Sequence, residues 1–509
     1  MGGRVTPGDE GQRAVSRRGF LRAGALLGGG VVLSGLLAAC GSQGGTATTA
    51  AGGGAQTGGG AAVNATAGAS AAPVAAAVAT TGASGAPAAA AFTREASVTL
   101  WNFGVEPTNP FAFARVDAFK QKFPNIKLEI VPKADDQKIL TAAASKQLPD
   151  ILWLGRDAIS SWGARGVLAP IDDLIKKNAF DLGQFYDSAV QEVKYDNKTW
   201  GIPQFMTVRA LYVNTDALGE AGLDVAKLDT GNWEQLTDLG QKLTKRSGER
   251  FERWGFDNKV DSDFTWLWGL ANGGKFISDD GKKASFNDPK IVEAVDWATK
   301  NYAAQGGYQG YKGFATTFQN DEQFARGLVA MTLYENWMLG IIARTVPERN
   351  FAVVPIKMRG GADTVSFTSG NAWTVPTGAK ERDAAFEFVK FMSAEETFLI
   401  GANAVKEDNK KNGRPYVPTL TAHKTADQAQ IAKVYEPIQP KFDDAVKLFP
   451  KILDVSKKVP TSISPVSKQL NDVLKNEGVK PVLSGERGAK DGLDRATQKA
   501  QQEIDAFQP

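Results

Sequence analysis

Residues 97–131 read SVTLWNFGVEPTNPFAFARVDAFKQKFPNIKLEIV. Ser97–Phe103 is a short apolar run suited to a buried strand. After a turn at Pro107–Pro110, Phe111–Phe123 spaces Phe113, Val116, Phe119 and Phe123 at helical intervals. Pro124 and Asn125 break that helix, and Ile126–Val131 alternates Ile126, Leu128 and Ile130 as a second strand. Strand, helix and strand at this length predict a βαβ unit, with parallel strands and a right-handed crossover.

Outward from this unit, a helix is expected over Asp136–Gln147, and Pro149–Leu154 reads as a third strand. Leu211–Asn214, Ala330–Leu333 and Phe351–Pro355 read as later strands. Asp288 before Pro289 is a capped helix start, with the helix running Lys290–Ala303. Glu381–Met392 is amphipathic, Asp491–Phe507 is a polar closing helix, and no internal repeat is visible. From Ala96 onward the chain has about 410 residues, more than one core usually serves, so two lobes are expected.

The opening of the chain has a different character. Residues 16–40, SRRGFLRAGALLGGGVVLSGLLAAC, place Arg17, Arg18 and Arg22 before an uncharged, glycine-interrupted apolar run that ends at Cys40. A positive start, a short apolar centre and small residues before a cut site predict an export signal. The run is marginal in length for crossing a bilayer. Ser-Arg-Arg-x-Phe-Leu-Arg resembles a twin-arginine signal, and Leu37-Ala38-Ala39-Cys40 resembles a bacterial lipobox. This implies cleavage after residue 39 and lipidation of Cys40, the only cysteine, which anchors the protein outside the cytoplasmic membrane. Gly41–Thr93 is almost wholly small residues without a charge, a flexible tether reaching on the order of 40 Å. Residues 1–39 are therefore read as the signal, and 40–95 as the lipidated cysteine with its tether.

The leader's five arginines against Asp9 and Glu10 account for the whole formal net charge of +3, so the remainder is neutral. A neutral chain without basic clusters gives no footprint for nucleic acid, and none is expected as a partner. Catalytic motifs are absent: no Gly-x-Ser-x-Gly, phosphate loop or His-Glu-x-x-His occurs. His423, the only histidine, has no metal-ligand spacing and is expected on the surface or in a core. Asp257, Asp261 and Asp263 are spaced loosely like a calcium loop but lack its Gly and closing Glu, so a solvated loop is expected. No catalytic residue, metal or cofactor is expected.

In open parallel sheets, ligands bind beyond the carboxyl ends of strands. Two such ends are readable, Trp101-Asn102-Phe103-Gly104-Val105-Glu106 and Trp153-Leu154-Gly155-Arg156-Asp157. Both put aromatics beside hydrogen-bonding groups, which suits a sugar: its C–H faces stack on rings while its hydroxyls need donors and acceptors. All eleven tryptophans lie beyond residue 100. Trp162, Trp200, Trp254 and Trp297 are expected in cores, whereas Trp337 and Trp266 or Trp268 sit among polar and small residues that suit ligand contact.

The strings VTLWNFG, FPNIKLEIV, LPDILWLGRDAISSWGARGVLAPIDDLI, WGIPQFMTVRALYVNTDAL, SFNDPKIVEAVDWA, FARGLVAMTLYENW and GNAWTVPTGAKERDAAFEFVKFM cover most of residues 97–400. In this order they resemble the extracellular solute-binding proteins (family 1) of carbohydrate ABC importers, which are maltose-binding-protein-like. Beyond about residue 425 the resemblance is only helical. It implies an α/β, two-lobed periplasmic-binding-protein fold (type II-like) with a multi-strand hinge and an interlobe ligand cleft. Chain crossings are then expected near Pro203–Val208, Thr368–Gly370 and Arg414–Val417. They assign residues 96–206 and 369–414 to lobe 1, and 207–368 and 415–509 to lobe 2.

The ligand-binding set carried by these readings is Trp101, Asn102, Phe103, Glu106, Arg156, Asp157, Gln204, Phe205, Trp266, Trp268, Asn272, Glu335, Trp337, Gly370, Asn371 and Trp373. Within it the resemblance makes Asp157 a sugar-binding aspartate and Trp337 a stacking aromatic. Thr207 and Leu154 depart from maltose-binding proteins, which carry a carboxylate and an aromatic there. The expected function is a monomeric, non-enzymatic, membrane-anchored lipoprotein that delivers a carbohydrate to an ABC permease. An extracytoplasmic glycoside hydrolase and a surface adhesin are the alternatives.

Overall fold

The computed structural model describes residues 92–262, 264–318 and 322–508. The export signal, Cys40, nearly all of the tether and Asp263 lie outside them. The strands are β1 (Ala96–Trp101), β2 (Ile126–Val131), β3 (Ile151–Gly155), a hairpin of β4 (Lys194–Tyr195) and β5 (Lys198–Thr199), β6 (Gly201–Pro203), β7 (Arg209–Asn214), β8 (Lys245–Ser247), β9 (Arg250–Asp257), β10 (Val329–Glu335), β11 (Phe351–Val354) and β12 (Asn371–Thr374).

One five-stranded sheet has the order β2-β1-β3-β12-β6, and a second has the order β11-β7-β10-β9-β8. In the first, β1 pairs in parallel with β2 (Ala96 with Ile126 through Trp101 with Val131) and with β3, as the βαβ reading expects. The crossover helix spans Pro110–Lys122. Asn109 caps it by accepting from the Ala112 amide, and Pro110 pre-sets its first turn. Phe119 on its inner face meets Phe388 of the helix Arg382–Met392 at 5.0 Å, edge to face. β12 enters between β3 and β6, antiparallel to both.

The second sheet mixes directions, with β7 antiparallel to β10 and β11, and β10 parallel to β9. Every residue of β7 is buried, as expected of a central strand covered on both faces. Its core holds Trp233, Trp254 and Trp268, all fully buried. The helix Pro289–Gln305 starts at Asp288 and Pro289 as the sequence suggests. The closing helix Ala489–Ala506 buries Leu493, Ala496 and Ala500.

Three extended segments connect the sheets. The chain leaves the first sheet after Pro203 and enters the second at Arg209; it returns between Val354 and Asn371. Thr207 and Ser369 form an antiparallel bridge where these segments meet, and Phe367 pairs in parallel with Lys457 of a third segment. The expected third crossing near Arg414–Val417 behaves differently. Asn409 donates to the Pro415 carbonyl, and the helix Lys424–Lys433 packs back on Glu395–Lys411. Contact with β11 begins only with the helix Pro440–Val455.

A buried ion pair joins all three segments. Arg156 and Glu192 are both fully buried, with Nε–Oε2 at 2.8 Å. The Arg156 guanidinium also donates to the carbonyls of Phe205 and Ser369. Glu192 accepts from the Val459 amide at 3.1 Å and the Thr368 hydroxyl at 3.4 Å. Arg156 is thus a strut of the junction and not the ligand-binding residue expected of it. Gly370 is required beside it: at φ +143° a Cβ would collide with the Phe205 carbonyl and the Arg156 guanidinium.

Removing one member of such a pair leaves an uncompensated buried charge. Glu192→Ala is expected to lower unfolding free energy by about 3–5 kcal/mol. Lys177→Ala, in an ion pair whose side chains are 62% and 48% exposed, is expected to lower it by no more than about 1 kcal/mol. Urea denaturation followed by circular dichroism measures both, and equal losses would remove Arg156–Glu192 from its role as the junction's strut.

Candidate functional site

Where the crossing segments meet the strand ends, a cavity of about 300 Å³ opens. The first sheet contributes Gly155 at the end of β3, Asp157 in the following turn, and Asn371 at the start of β12. The second contributes Arg209, Glu335 at the end of β10, and Trp337 just beyond it. Phe205, Thr207, Phe367, Ser369, Gly370 and Val459 come from the three crossing segments, Trp266 from the helix Thr265–Ala271, and Asn471 from Ser467–Val473.

Its polar wall is a network centred on Arg209. The guanidinium lies 4.0 Å from the centre of the Phe367 ring and donates to Thr207 Oγ1 at 3.1 Å and Ser369 Oγ at 2.8 Å. Glu335 Oε1 lies 3.6 Å from Arg209 Nη2, and the Thr207 and Ser369 hydroxyls are 2.7 Å apart. Stacking the cation on an aromatic face while hydrogen bonds hold its edge fixes the guanidinium in one orientation. On the same cavity is Trp337, 38% exposed and held edge-on against Tyr334 at 4.9 Å. An exposed indole beside fixed hydroxyls, a carboxylate and a guanidinium can stack on an apolar ring face while hydrogen-bonding its polar rim.

The structure brings Asp157, Phe205, Trp266, Glu335, Trp337, Gly370 and Asn371 together at this cavity. It places the rest of the expected set elsewhere. Trp268 is fully buried, donates to the Asn258 carbonyl, and packs edge-on against Trp233 and Trp297. Trp373 is buried between Phe103 and Phe388, and Phe103 is buried with it. Asn102, at φ +72°, accepts from the Ala134 amide, and Trp101 lies beneath Lys138 at 4.7 Å. Buried Gln204 accepts from the Trp153 indole at 3.1 Å. Asn272 is occupied by Glu293 and the Lys290 carbonyl. Glu106 is exposed and does not line the cavity.

Arg209, Ser369, Phe367, Val459 and Asn471 were missed. Arg209 had a signal, a single charge opening an otherwise apolar strand; Asn471 had none. The aspartate loop is also corrected. Asp257 is fully buried and accepts from the Tyr302 and Tyr311 hydroxyls at 2.6 Å each, so it is a core acceptor and not part of a solvated loop. Among the described residues no acidic, His or Cys cluster could hold a metal, and no helix is long and apolar enough to cross a membrane. His423 is buried, caps the helix Lys424–Lys433, and is held below its ordinary pKa mainly by desolvation.

A larger cavity of about 670 Å³ lies across the third crossing segment, where Lys457, Lys458 and Pro460 face it while Val459 faces the cleft. Its aromatics, Tyr186 and Phe276, are both buried, so it offers no open stacking face.

Residues 114–408, more than half of the chain, match the family model of bacterial extracellular solute-binding proteins, and the chain belongs to that family. A putative binding protein of Brucella abortus is 23% identical over 293 residues, covering 56% of this chain and 69% of its own. The diacetylchitobiose binding protein of Streptomyces coelicolor is 24% identical over 288 residues, covering 53% of this chain and 62% of its own. The structure of an ABC substrate-binding protein from Listeria monocytogenes in complex with cycloalternan superposes with a TM-score of 0.66. It is 20% identical and covers 81% of this chain and 99% of that one. The fold is therefore α/β, of the two-lobed periplasmic-binding-protein type.

The two classes of tryptophan separate by stability. Trp268→Ala is expected to cost about 3–5 kcal/mol, as for other buried aromatics. Trp337→Ala, at an exposed position, is expected to change unfolding free energy by about 1 kcal/mol or less. Chemical denaturation of both variants checks this, and a large loss in Trp337→Ala would move that residue into the core.

Proposed function

We propose that this protein captures a carbohydrate in the cleft and delivers it to the permease of an ABC importer. The observation that carries the reading is Trp337, an exposed indole that lines one cavity with the fixed polar groups of Arg209, Glu335, Thr207 and Ser369 and with Asp157. Family membership and the sugar ligands in the names of its relatives support it. Asp157 and Glu335 accept sugar hydroxyls, Asn371 bonds the rim, and Phe205 and Trp266 bound the apolar floor.

The two sheets are the centres of two lobes, 96–206 with 369–439 and 207–368 with 440–509; the packing of Lys424–Lys433 on Glu395–Lys411 supports a last boundary near Pro440 in place of the one expected at residue 414. Lobes joined by extended segments can close over a ligand that contacts both, and closure selects the bound state. The protein acts as a monomer without a cofactor and without catalysis. It is exported by its leader and held at the outer face of the membrane by lipid on Cys40.

A thermal-shift screen of the full chain against sugars and polyols tests the reading, because binding to the native state alone adds about 2.7 kcal/mol at a hundredfold excess over Kd. At least one sugar is expected to raise Tm. Trp337→Ala and Asp157→Ala are each expected to weaken its binding by more than tenfold, since such anchors contribute about 2 kcal/mol or more. Small-angle scattering is expected to show a smaller radius of gyration with the ligand. Hydrolysis of a chromogenic glycoside would replace this reading with an enzyme, and a screen without a single shift would leave an adhesin.

Anchoring has its own test. Cys40→Ala is expected to move the protein from the membrane fraction to soluble material; membrane retention of the correctly cleaved variant would remove the lipid anchor from the reading.

A further inference from the structure

The helix Ser467–Val473 and the helical turn after it form a wall that continues past the cleft. Asn471 lines the cleft cavity, and Lys475, one turn further on, lines a neighbouring cavity of about 250 Å³. Tyr334 touches a residue of each: its ring meets Trp337 of the cleft edge to face at 4.9 Å, and the Lys259 ammonium of the second cavity lies 4.3 Å from the ring centre.

This second compartment has a charge pattern the first lacks. Lys259, Lys312, Lys475 and Lys480 line it together with only two carboxylates, Asp257 and Asp261. Both carboxylates are already engaged. Asp257 holds two tyrosine hydroxyls and lies 4.0 Å from Lys259, while Asp261 accepts from Tyr308 at 2.8 Å and lies 3.8 Å from Lys312. Lys475 is half-buried, and Lys480 is exposed and donates to Asn476 Oδ1 at 2.7 Å; neither forms an ion pair with a carboxylate among the described residues. Lys259 is also held in the left-handed region at φ +51°, a conformation that persists outside glycine only where its surroundings impose it. Two ammonium groups without a carboxylate partner at one cavity favour an anion, because charge-assisted hydrogen bonds are stronger than neutral ones.

We propose that the ligand site extends past Trp337 into this basic compartment, and that the solute is a carbohydrate carrying an acidic group, a carboxylate or a phosphate. The sugar ring lies against Trp337, and Lys475 and Lys480 bind the charge at the far end. This rests on the carbohydrate reading and narrows it to a class.

Isothermal titration of the full chain with matched disaccharides tests it. Each neutral disaccharide, in α-1,4, β-1,4 and β-1,3 linkage, is compared with its counterparts bearing a terminal uronic acid or a terminal 6-phosphate. In at least one linkage an acidic member is expected to bind tenfold or more tightly than the neutral one at 50 mM NaCl. The uronate and phosphate arms show which group is used. That advantage should shrink at 300 mM NaCl, where screening is stronger, and fall below threefold in the Lys475→Gln/Lys480→Gln double variant. Neutral disaccharides that bind as well as both acidic ones would overturn the basic subsite and leave the carbohydrate reading standing. So would a double variant that keeps the wild-type preference. If no sugar of either kind binds, the carbohydrate reading falls, and this proposal with it.

Discussion

Everything between the two sheets depends on one buried contact, Arg156 with Glu192. Two full charges withdrawn from water carry a desolvation cost of several kcal/mol each, offset only when geometry and further hydrogen bonds satisfy them. Here the further bonds come from the crossing segments themselves, through the Phe205 and Ser369 carbonyls, the Thr368 hydroxyl and the Val459 amide. The pair is satisfied only when all three segments are in place, so it specifies the junction as well as stabilising it. Gly370 follows from the same requirement, because nothing larger fits beside the guanidinium.

That junction also sets the cleft. Phe205, Thr207, Ser369 and Gly370 lie within a few residues of the Arg156 contacts, and Thr207 and Ser369 pass directly to the Arg209 network. Polar groups at the mouth are therefore positioned by backbone that a buried charge holds. Trp337 is tied to the same segment, because Asn336 beside it exchanges hydrogen bonds with Val208, and its ring rests on Tyr334 of β10. Fixed hydroxyls and an exposed ring on one cavity let the cleft combine a rigid polar wall with a stacking face.

Much of this was legible in the sequence. The βαβ unit could be read because its alternation and helical spacing are local, and β2 spans the same residues, Ile126–Val131, in both views. The aromatics were harder for a geometric reason. Trp266 and Trp268 are two positions apart on a helix, about 200° around its axis, so one reaches the cavity while the other enters the core. Asn371 and Trp373 share β12, but one sits at its open end and the other a step deeper, under Phe103 and Phe388. The pairing of Lys457 with Phe367 had no signal, since an extended polar segment acquires its partner only through distant chain. Arg156 shows the same limit: an arginine after a strand reads as a ligand group until Glu192 is seen beneath it.

The position of β12 has a consequence for how the chain is made. The first sheet is not closed by its own contiguous sequence. β6 joins it only through β12, and β12 is synthesised after every strand of the second sheet. During vectorial synthesis at about 5–20 residues per second, β3 would wait roughly 10–35 s after β6 emerges before its neighbour exists. In that interval its edge is an unpaired template of the kind that drives aggregation. The first sheet is not a self-sufficient folding unit, and its assembly is governed by long-range contacts that form late.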